Sequence, residues 1–313
     1  MTQGRSIRLF LVDGTPSGLL TAEIMNWTGH VLTGPRSKLS ELVQRPECGC
    51  TGIYFLVGTD PEGNPRPLVY IGESDDVATR LKQHNRPEEK GGKDFWEKVC
   101  LITSKDQNLT KAHVKYLESL LIKNAGEVGR CKLINGTAHE YIGLPESDRA
   151  DMAFFMEQVR TVLPVLGLDF LRDATKPSAA TGTPDPQDAQ ASPRFVLEAS
   201  RHGIKAVGQE VDGEFFVLEG SLARREWAGP YHSYQKQHAQ LCEEGVLVDN
   251  GNDLQRFTKD YAFSSPSAAA AIVVGRAANG RIDWKVAGSG LSYGEWQDQQ
   301  VSAAAPSAEQ SPS

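Results

Sequence analysis

Five polar side chains, taken together, have the chemistry needed to hydrolyse a phosphodiester bond. They are Tyr54, Tyr70, Arg80, His84 and Glu118. A carboxylate can hold a hard divalent cation that keeps most of its waters, as Mg²⁺ does. The cation and a guanidinium would stabilise negative charge on the phosphate and the leaving oxygen, and a phenol assisted by an imidazole would orient or deprotonate the attacking water. These residue types therefore indicate a metal-dependent phosphodiesterase.

Two predicted strands carry the tyrosines. The segments GIYFLVG and PLVYIG are rich in β-branched and aromatic residues, and a run of Asp, Pro, Gly and Asn separates them. This pattern predicts an antiparallel hairpin with a long loop. Because successive side chains of a strand point to opposite faces, the hairpin can bring Tyr54 and Tyr70 together on one face.

A short predicted helix carries the arginine and the histidine. Ser74 or Asp75 can cap this helix, which ends near His84. At 100° per residue Arg80 and His84 fall within the same sector as the apolar positions of the helix. A packed helix face is therefore expected to carry a cation and an imidazole.

A longer predicted helix, TKAHVKYLESLLIKNA, carries the glutamate. Asn108 or Thr110 caps it, and Gly126 is expected to close it. Glu118 borders the apolar stripe of this helix, where desolvation of a carboxylate is unfavourable unless a cation or a metal compensates for it. His113 lies well around the helix from Glu118 and is interpreted as a surface residue.

These residues resemble the signature of the GIY-YIG nuclease family, which includes homing endonucleases, some restriction enzymes and an excision-repair nuclease. Both name-giving triplets are intact. The resemblance covers about residues 50 to 136 and rests, in chain order, on Gly52, Ile53, Tyr54, Tyr70, Ile71, Gly72, Glu73, Ser74, Arg80, His84 and Glu118.

The resemblance implies an endonuclease that uses one Mg²⁺ or Mn²⁺ ion and cuts DNA, with RNA left open as a substrate. It implies that Glu118 is the metal ligand. Arg80 and His84 are expected to support catalysis, Tyr54 to activate the attacking water, and Tyr70 to position the water or the phosphate.

Further positions follow from the same resemblance. Gly52 and Gly72 are the motif glycines, and Asn135 in KLINGT matches a frequent family asparagine. The order of the segments is similar to a bacterial subgroup whose C-terminal domain has no known function. The stretch FSSPSAAAAIVVGRAANGRIDWKV resembles part of that domain.

The fold class expected is α+β, with a small antiparallel sheet flanked by helices in the GIY-YIG domain and a second, smaller α+β domain. The predicted segments are an N-terminal extension with strands (1–49), the GIY-YIG domain (50–136), a helical extension (137–173), a disordered linker (174–193), the C-terminal domain (194–296) and a disordered tail (297–313). The linker and tail are rich in Ala, Ser, Pro and Thr, a composition that cannot bury much apolar surface.

The overall charge limits how nucleic acid can be bound. A net charge of −7 argues against a protein that coats nucleic acid by bulk electrostatics. A local basic set exists, and Lys82, Lys93 and Lys115 are the weak candidates for nucleic-acid contact. Acidic residues interleave with them, so an ordinary solvated surface is an equally good interpretation.

Composition also favours a cytoplasmic protein without membrane contact. No stretch is long and apolar enough to span a membrane, and the first residues lack a secretory pattern. The five cysteines are odd in number and scattered, which favours reduced thiols. The spacing of Cys48 and Cys50, taken with His30, Cys131 and His139, does not match a structural zinc site. The oligomeric state is not indicated.

Three alternatives remain open at this stage. The module could recognise nucleic acid or a protein without cutting. Glu118 could be a structural ion-pair partner of Arg80. In the second domain, the mixture of basic and aromatic residues could contact nucleic acid or be an ordinary surface; this mixture consists of Arg224, Arg225, Trp227, Tyr231, His232 and Tyr234.

Overall fold

The structure is a computed structural model that describes residues 4–61, 66–136, 141, 143–172, 192–211, 213–230 and 232–304. It is a mixed α/β protein whose chain divides into two compact units, Met1–Asp173 and Ala174–Ser313. Of the predicted linker, residues 174–191 lie outside the described residues.

One seven-stranded sheet organises the first unit, in the order β1-β2-β3-β6-β4-β5-β7. Its strands are β1 (Ile7–Leu11), β2 (Leu20–Ile24), β3 (Gly29–Pro35), β4 (Gly52–Gly58), β5 (Leu68–Ser74), β6 (Lys98–Ser104) and β7 (Lys132–Leu133). All neighbours are antiparallel except β5 and β7, which are parallel. The predicted hairpin of β4 and β5 is confirmed.

The expectation of a small antiparallel sheet is wrong in two respects. β3 pairs with β6 over seven residues, from Gly29 opposite Ser104 to Pro35 opposite Lys98, so the strands of the N-terminal extension belong to the same sheet. The sheet therefore crosses the predicted boundary at residue 49. The short parallel strand β7 completes the other edge. These pairings join segments distant in sequence, which local strand patterns cannot anticipate.

Four helices pack against this sheet: α1 (Leu39–Leu42), α2 (Val77–His84), α3 (Lys111–Val128) and α4 (Glu146–Val165). Asp76, rather than Ser74 or Asp75, caps α2, because its side chain accepts a hydrogen bond from the amide of Thr79 at 3.0 Å.

The predicted N-cap of α3, Thr110, is confirmed, whereas the predicted closure at Gly126 is wrong. The helix continues to Val128 and ends at Gly129, which adopts a left-handed conformation with φ of 67°. His113 is not a free surface residue. Its imidazole accepts from the amide of Thr110 in a capping box and lies 3.3 Å from a carboxylate oxygen of Asp148.

The two faces of the sheet bury different sets of side chains. On one face, Ile53 and Phe55 of β4 pack with α3 and α4. On the other face, Tyr54 and Leu56 pack with α1 and α2, with Leu81 of α2 in contact. Strand alternation therefore directs Tyr54 to the side of the sheet that α2 covers.

The second unit contains two sheets. The first has the order β14-β10-β9-β8-β15 and the second the order β11-β13-β12. The strands are β8 (Arg194–Ala199), β9 (Ile204–Val211), β10 (Glu214–Val217), β11 (Leu222–Arg224), β12 (Leu247–Gly251), β13 (Leu254–Phe257), β14 (Tyr261–Phe263) and β15 (Lys285–Val286).

The helices of this unit are α5 (Ser233–Glu243), α6 (Pro266–Val274), α7 (Gly280–Asp283) and α8 (Tyr293–Ala304). Ser265 caps α6, Pro266 opens it and Gly275 ends it with φ of 65°, a placement of Pro and Gly that is common at helix ends. The predicted start of a disordered tail at residue 297 is wrong, because α8 continues to Ala304. Residues 305–313 lie outside the described residues.

Candidate active site

The two phenols lie together on the face of the hairpin that α2 covers. Tyr54 is paired with Gly72, and Leu56 with Tyr70, so the two tyrosines are diagonal neighbours on adjacent strands. Their ring centroids are 6.2 Å apart. The strand alternation seen in the sequence predicts this arrangement, and the register of the hairpin produces it.

His84, the last residue of α2, completes an aromatic cluster with these tyrosines. Its Nε2 atom lies 2.8 Å from the hydroxyl oxygen of Tyr54, and its ring centroid is 5.2 Å from that of Tyr70. Burial, helped by the charges of Arg80 and Lys93, lowers the pKa of His84 to about 4. The imidazole is therefore neutral near pH 7 and can accept the hydroxyl hydrogen of Tyr54.

The position of Tyr54 bears on the role expected for it, which was activation of the attacking water. Its side chain is completely buried, and burial raises its pKa well above the ordinary value for a phenol. A buried phenol of high pKa is a poor general base, so Tyr54 is better suited to holding His84 and the hairpin in place. Tyr70 is only partly buried and is the phenol that solvent can reach.

Two cations border the aromatic cluster. Arg80 is exposed and donates from Nη1 to the side-chain oxygen of Gln83 at 2.9 Å, and its nearness to the hydroxyl of Tyr54 raises the pKa of the guanidinium. The Nζ atom of Lys93 lies 4.3 Å from the centre of the Tyr70 ring, a cation–π contact. Both cations are therefore placed to meet an anionic group at this surface.

Glu118 lies on α3, which packs beside β5 on the opposite face of the sheet from the aromatic cluster. It is half-buried, and burial together with the charge of Glu73 raises its pKa to about 7. A hydrogen bond from the backbone of Glu73 and the charges of Lys111 and Arg80 act in the opposite direction. Within the described residues no salt bridge joins Arg80 to Glu118, so the interpretation of a direct ion pair is wrong.

Glu73 and Lys111 are the site residues for which sequence reasoning gave no role. Lys111 of α3 lies 2.6 Å from a carboxylate oxygen of Glu73 and 3.3 Å from one of Asp75. Glu73 directly follows the triplet Tyr70-Ile71-Gly72, and this position in the sequence could have indicated a role in the site. Its importance depends on α3 packing beside β5, which the sequence does not show.

The carboxylates of Glu118 and Glu73 suit a hard divalent ion that keeps most of its waters better than an ion that protein ligands enclose. Among the residues described, no group of three or more His, Cys, Asp or Glu side chains is arranged to hold a metal. Glu118 and Glu73 nevertheless bring two carboxylates close enough for one to raise the pKa of the other. A divalent cation would relieve that repulsion, and Mg²⁺ commonly binds through one or two carboxylates while keeping its waters.

Asn135, which was expected to be catalytic, pairs with the backbone of β5 in the structure. Its side-chain oxygen accepts from the amide of Ile71 at 3.0 Å, and its side-chain nitrogen donates to the carbonyl of Ile71 at 2.6 Å. The side-chain amide of Asn135 thus bonds to the backbone of β5 just beyond the end of β7, in the way that the backbone of a further β7 residue would. Its contacts fix the edge of β5 beside Gly72 and Glu73.

The remaining candidate residues lie around this centre. Lys82 on α2 and Lys115 on α3 are exposed and make no contact with the aromatic cluster among the described residues. Gly52 is needed for close packing, because a Cβ atom there would lie 2.7 Å from the carbonyl oxygen of Ile102. Of the three lysines predicted to contact nucleic acid, Lys93 is the one in contact with the cluster.

Gly72 provides a first test of the packing. A Cβ atom at this position would lie 2.3 Å from the hydroxyl oxygen of the buried Tyr54, which has no room to move. We expect Gly72→Ala to lower the free energy of unfolding by about 1–3 kcal/mol in urea titrations. Gly136→Ala, where nothing lies within 4 Å of the new atom, is the control and should be neutral. Equal stability of the two variants would contradict the packing described.

Comparison with known proteins identifies part of the second unit. A family model described as a domain of unknown function (DUF4357) matches residues 195–297, about a third of the chain. This match confirms the predicted C-terminal domain of unknown function. No curated protein and no solved structure matches the chain. Within the described residues, no helix has the length and apolar character required to cross a membrane.

Proposed function

We propose that residues 50–136 form a GIY-YIG nuclease module and that the protein is a metal-dependent endonuclease acting on DNA. One observation supports the proposal: Tyr54, Tyr70 and His84 form a cluster bordered by Arg80, and the charge of Arg80 also lowers the pKa of Glu118, which α3 places on the opposite face of the sheet. Structural ion pairs alone do not require two phenols and a neutral imidazole at such a point.

The cations define where the scissile phosphate would bind. Arg80 is exposed and offers the planar donor group that pairs with phosphate oxygens. Lys93, which lies over Tyr70, adds a second positive charge beside the same phenol. These two side chains would stabilise the charge that develops on the phosphate during hydrolysis.

The neutral groups would position the nucleophile. Tyr70, half-buried and open to solvent, can hydrogen-bond to the attacking water or to a phosphate oxygen. His84 accepts a hydrogen bond from Tyr54 and so holds its own ring and that of Tyr54 in place beside Tyr70. We assign Tyr54 the role of a positioning residue, because its burial and raised pKa make it unsuited to remove a proton.

Glu118, with Glu73 beside it, would hold the divalent ion. When bound, Mg²⁺ or Mn²⁺ supplies an acidified water and stabilises the leaving oxygen. Glu118 must be ionised for this role, and its pKa of about 7 means that acidic solutions weaken it as a ligand. Lys111 neutralises part of the charge of Glu73 and so limits repulsion between the carboxylates.

The function is tested with the full-length protein and labelled single-stranded, duplex and branched DNA, each with a matched RNA. We expect cleavage of at least one DNA substrate with Mg²⁺ or Mn²⁺ and none in EDTA. Salt-dependent retardation of DNA in a gel without cleavage under any metal condition would contradict a nuclease and favour a binding module. Preferential cleavage of RNA would correct the substrate while keeping the chemistry.

A further inference from the structure

Exposed apolar side chains of the first unit are concentrated on the terminal strand of its sheet, just after the neighbouring strand, and on one helix. Of the large hydrophobic residues that are exposed in the described part of the chain, most lie on β1, just after β2, or on α4: Leu9, Phe10, Leu11, Met25, Phe154 and Val165. Phe10 is 58% exposed and Met25 70% exposed. Such a concentration on a folded unit is typical of a surface that another protein covers.

The backbone of β1 is open for pairing. β1 is the terminal strand of the sheet, and among the described residues its only strand neighbour is β2. The amide of Val12 donates to the carbonyl of Leu19. Because alternate residues of an antiparallel strand bond to the same neighbour, Arg8 and Phe10 are the residues of β1 whose backbone groups bond to β2. The amide and carbonyl groups of Ile7, Leu9 and Leu11 therefore point away from β2.

The edge carries little uncompensated charge. The single charged residue of β1 is Arg8, which is paired in register with Glu23 of β2. Lys105, with smaller contributions from His30 and Arg8, lowers the pKa of that carboxyl. Natural sheets protect an open edge with lysines, prolines or bulges. β1 has none of these, although Leu9, Phe10 and Leu11 are all exposed.

We propose that β1 pairs antiparallel with β1 of a second copy of this chain, about a two-fold axis at Leu9. In this register Leu9 faces Leu9 of the other copy, and Ile7 faces Leu11, so every outward backbone group of the strand is bonded. Arg8 faces Phe10 of the other copy rather than another arginine, which places a cation against an aromatic ring. The strand is therefore complementary to itself in backbone, shape and charge.

Helix α4 extends this surface. Arg5, which precedes β1, donates to side-chain oxygens of Gln158 and Thr161, so this stripe of α4 lies beside the start of the edge strand. Phe154 and Val165 fall on the same stripe by helical spacing and are exposed. Ile7 packs into the core that α4 covers, which directs Leu9 and Leu11 to the same side as this helix.

The interface would leave the candidate active site open. In the sheet order β1 lies at the opposite edge from β5 and β7, and β4 is separated from it by three strands. At about 4.8 Å per strand, β4 is about 19 Å from β1. The proposed dimer therefore does not depend on the nuclease proposal, and each can fail without the other.

The first test is the mass of the full-length protein in solution by light scattering after gel filtration, at tens of micromolar. We expect twice the chain mass of 34.1 kDa. Leu9→Pro removes the outward amide while leaving the bonds of Arg8 and Phe10 to β2, and proline is tolerated on an edge strand. It should give monomers with an unchanged far-ultraviolet circular dichroism spectrum, whereas Ile282→Ser, an exposed hydrophobic position of the second unit, should remain dimeric.

The second test measures which residues of the two β1 strands face each other in the proposed dimer. Directly paired residues have Cα atoms about 5.5 Å apart, which permits a disulfide, so Leu9→Cys should give a covalent dimer on mild oxidation. Phe10→Cys, whose two copies would be about 8 Å apart, should cross-link far less, and wild type is the background control. A monomeric wild type, a dimeric Leu9→Pro variant, or equal cross-linking of the two cysteine variants would each overturn the proposal.

Discussion

Glu118→Gln is expected to abolish cleavage and yet to stabilise the fold in neutral and alkaline solution. Removal of the carboxylate eliminates the proposed metal ligand, so cleavage in Mg²⁺ should fall by about 10³-fold or more. Glu127→Gln, at an exposed position of the same helix, is the matched control and should cleave like wild type. Cleavage by Glu118→Gln at the wild-type rate would remove Glu118 from the site.

The stability effect follows from the pKa of Glu118, which is raised from 4.5 to about 7. A carboxyl group with a raised pKa binds its proton more tightly in the folded state, so its stabilising effect is complete below pH 4.5 and is lost as the pH rises through 7. The advantage of Glu118→Gln over wild type should therefore grow from pH 4.5 to 7 and, after a discount for solvent screening of this half-buried group, reach about 1–3 kcal/mol at pH 8.

Thermal unfolding at pH 5 and pH 8, with and without Mg²⁺, separates these contributions. At pH 8, Mg²⁺ should raise the Tm of wild type and of Glu127→Gln, because the ion compensates the unfavourable charge of Glu118. The Tm of Glu118→Gln should not respond. An equal response to Mg²⁺ in all three proteins would place the ion elsewhere, even if cleavage were lost.

Arg80→Ala is expected to reduce cleavage by about 10²–10³-fold, because it removes a guanidinium that stabilises charge on the reacting phosphate. Arg80→Lys keeps the charge but loses the two-point contact and should recover only part of the rate. Lys82→Ala, at an exposed position on the same helix, should weaken DNA binding slightly and leave the cleavage rate of bound DNA unchanged. Similar rates for Arg80→Ala and Lys82→Ala would contradict the assigned role.

A second measurement on Arg80→Ala does not depend on activity. The charge of Arg80 helps to hold the pKa of His84 at about 4. In Arg80→Ala that pKa should rise toward 6.5, although burial and Lys93 should keep it below that value. Titration of the His84 ring by NMR measures this shift. An unchanged pKa would show that Arg80 does not lie close to the aromatic cluster.

Most elements of the candidate site could be predicted because their signals are local. Alternation along β4 and β5 places Tyr54 and Tyr70 on one face, and the 100° step of α2 places Arg80 and His84 in one sector. The caps of α3 and α6 follow from the hydrogen-bonding capacity of Thr110 and Ser265. Each of these features depends on a few consecutive residues.

The errors arose where distant segments meet. Pairing of β3 with β6 merged the N-terminal extension into the central sheet, and no local pattern specifies which strands become neighbours. The contact of Asn135 with Ile71 was likewise not anticipated, because it depends on the short parallel strand β7. The role of Glu73 was missed because α3 and β5 are brought together by the core.

The sequence by itself determined which side chains are available for chemistry and the order in which strands and helices present them. The tertiary structure decided their protonation and access. Burial raises the pKa of Tyr54, which disfavours proton removal by this phenol, lowers that of His84 so that it is neutral, and raises that of Glu118 to about 7. The physical reason is that desolvation depends on all the neighbours of a group, and packing chooses those neighbours from the whole chain.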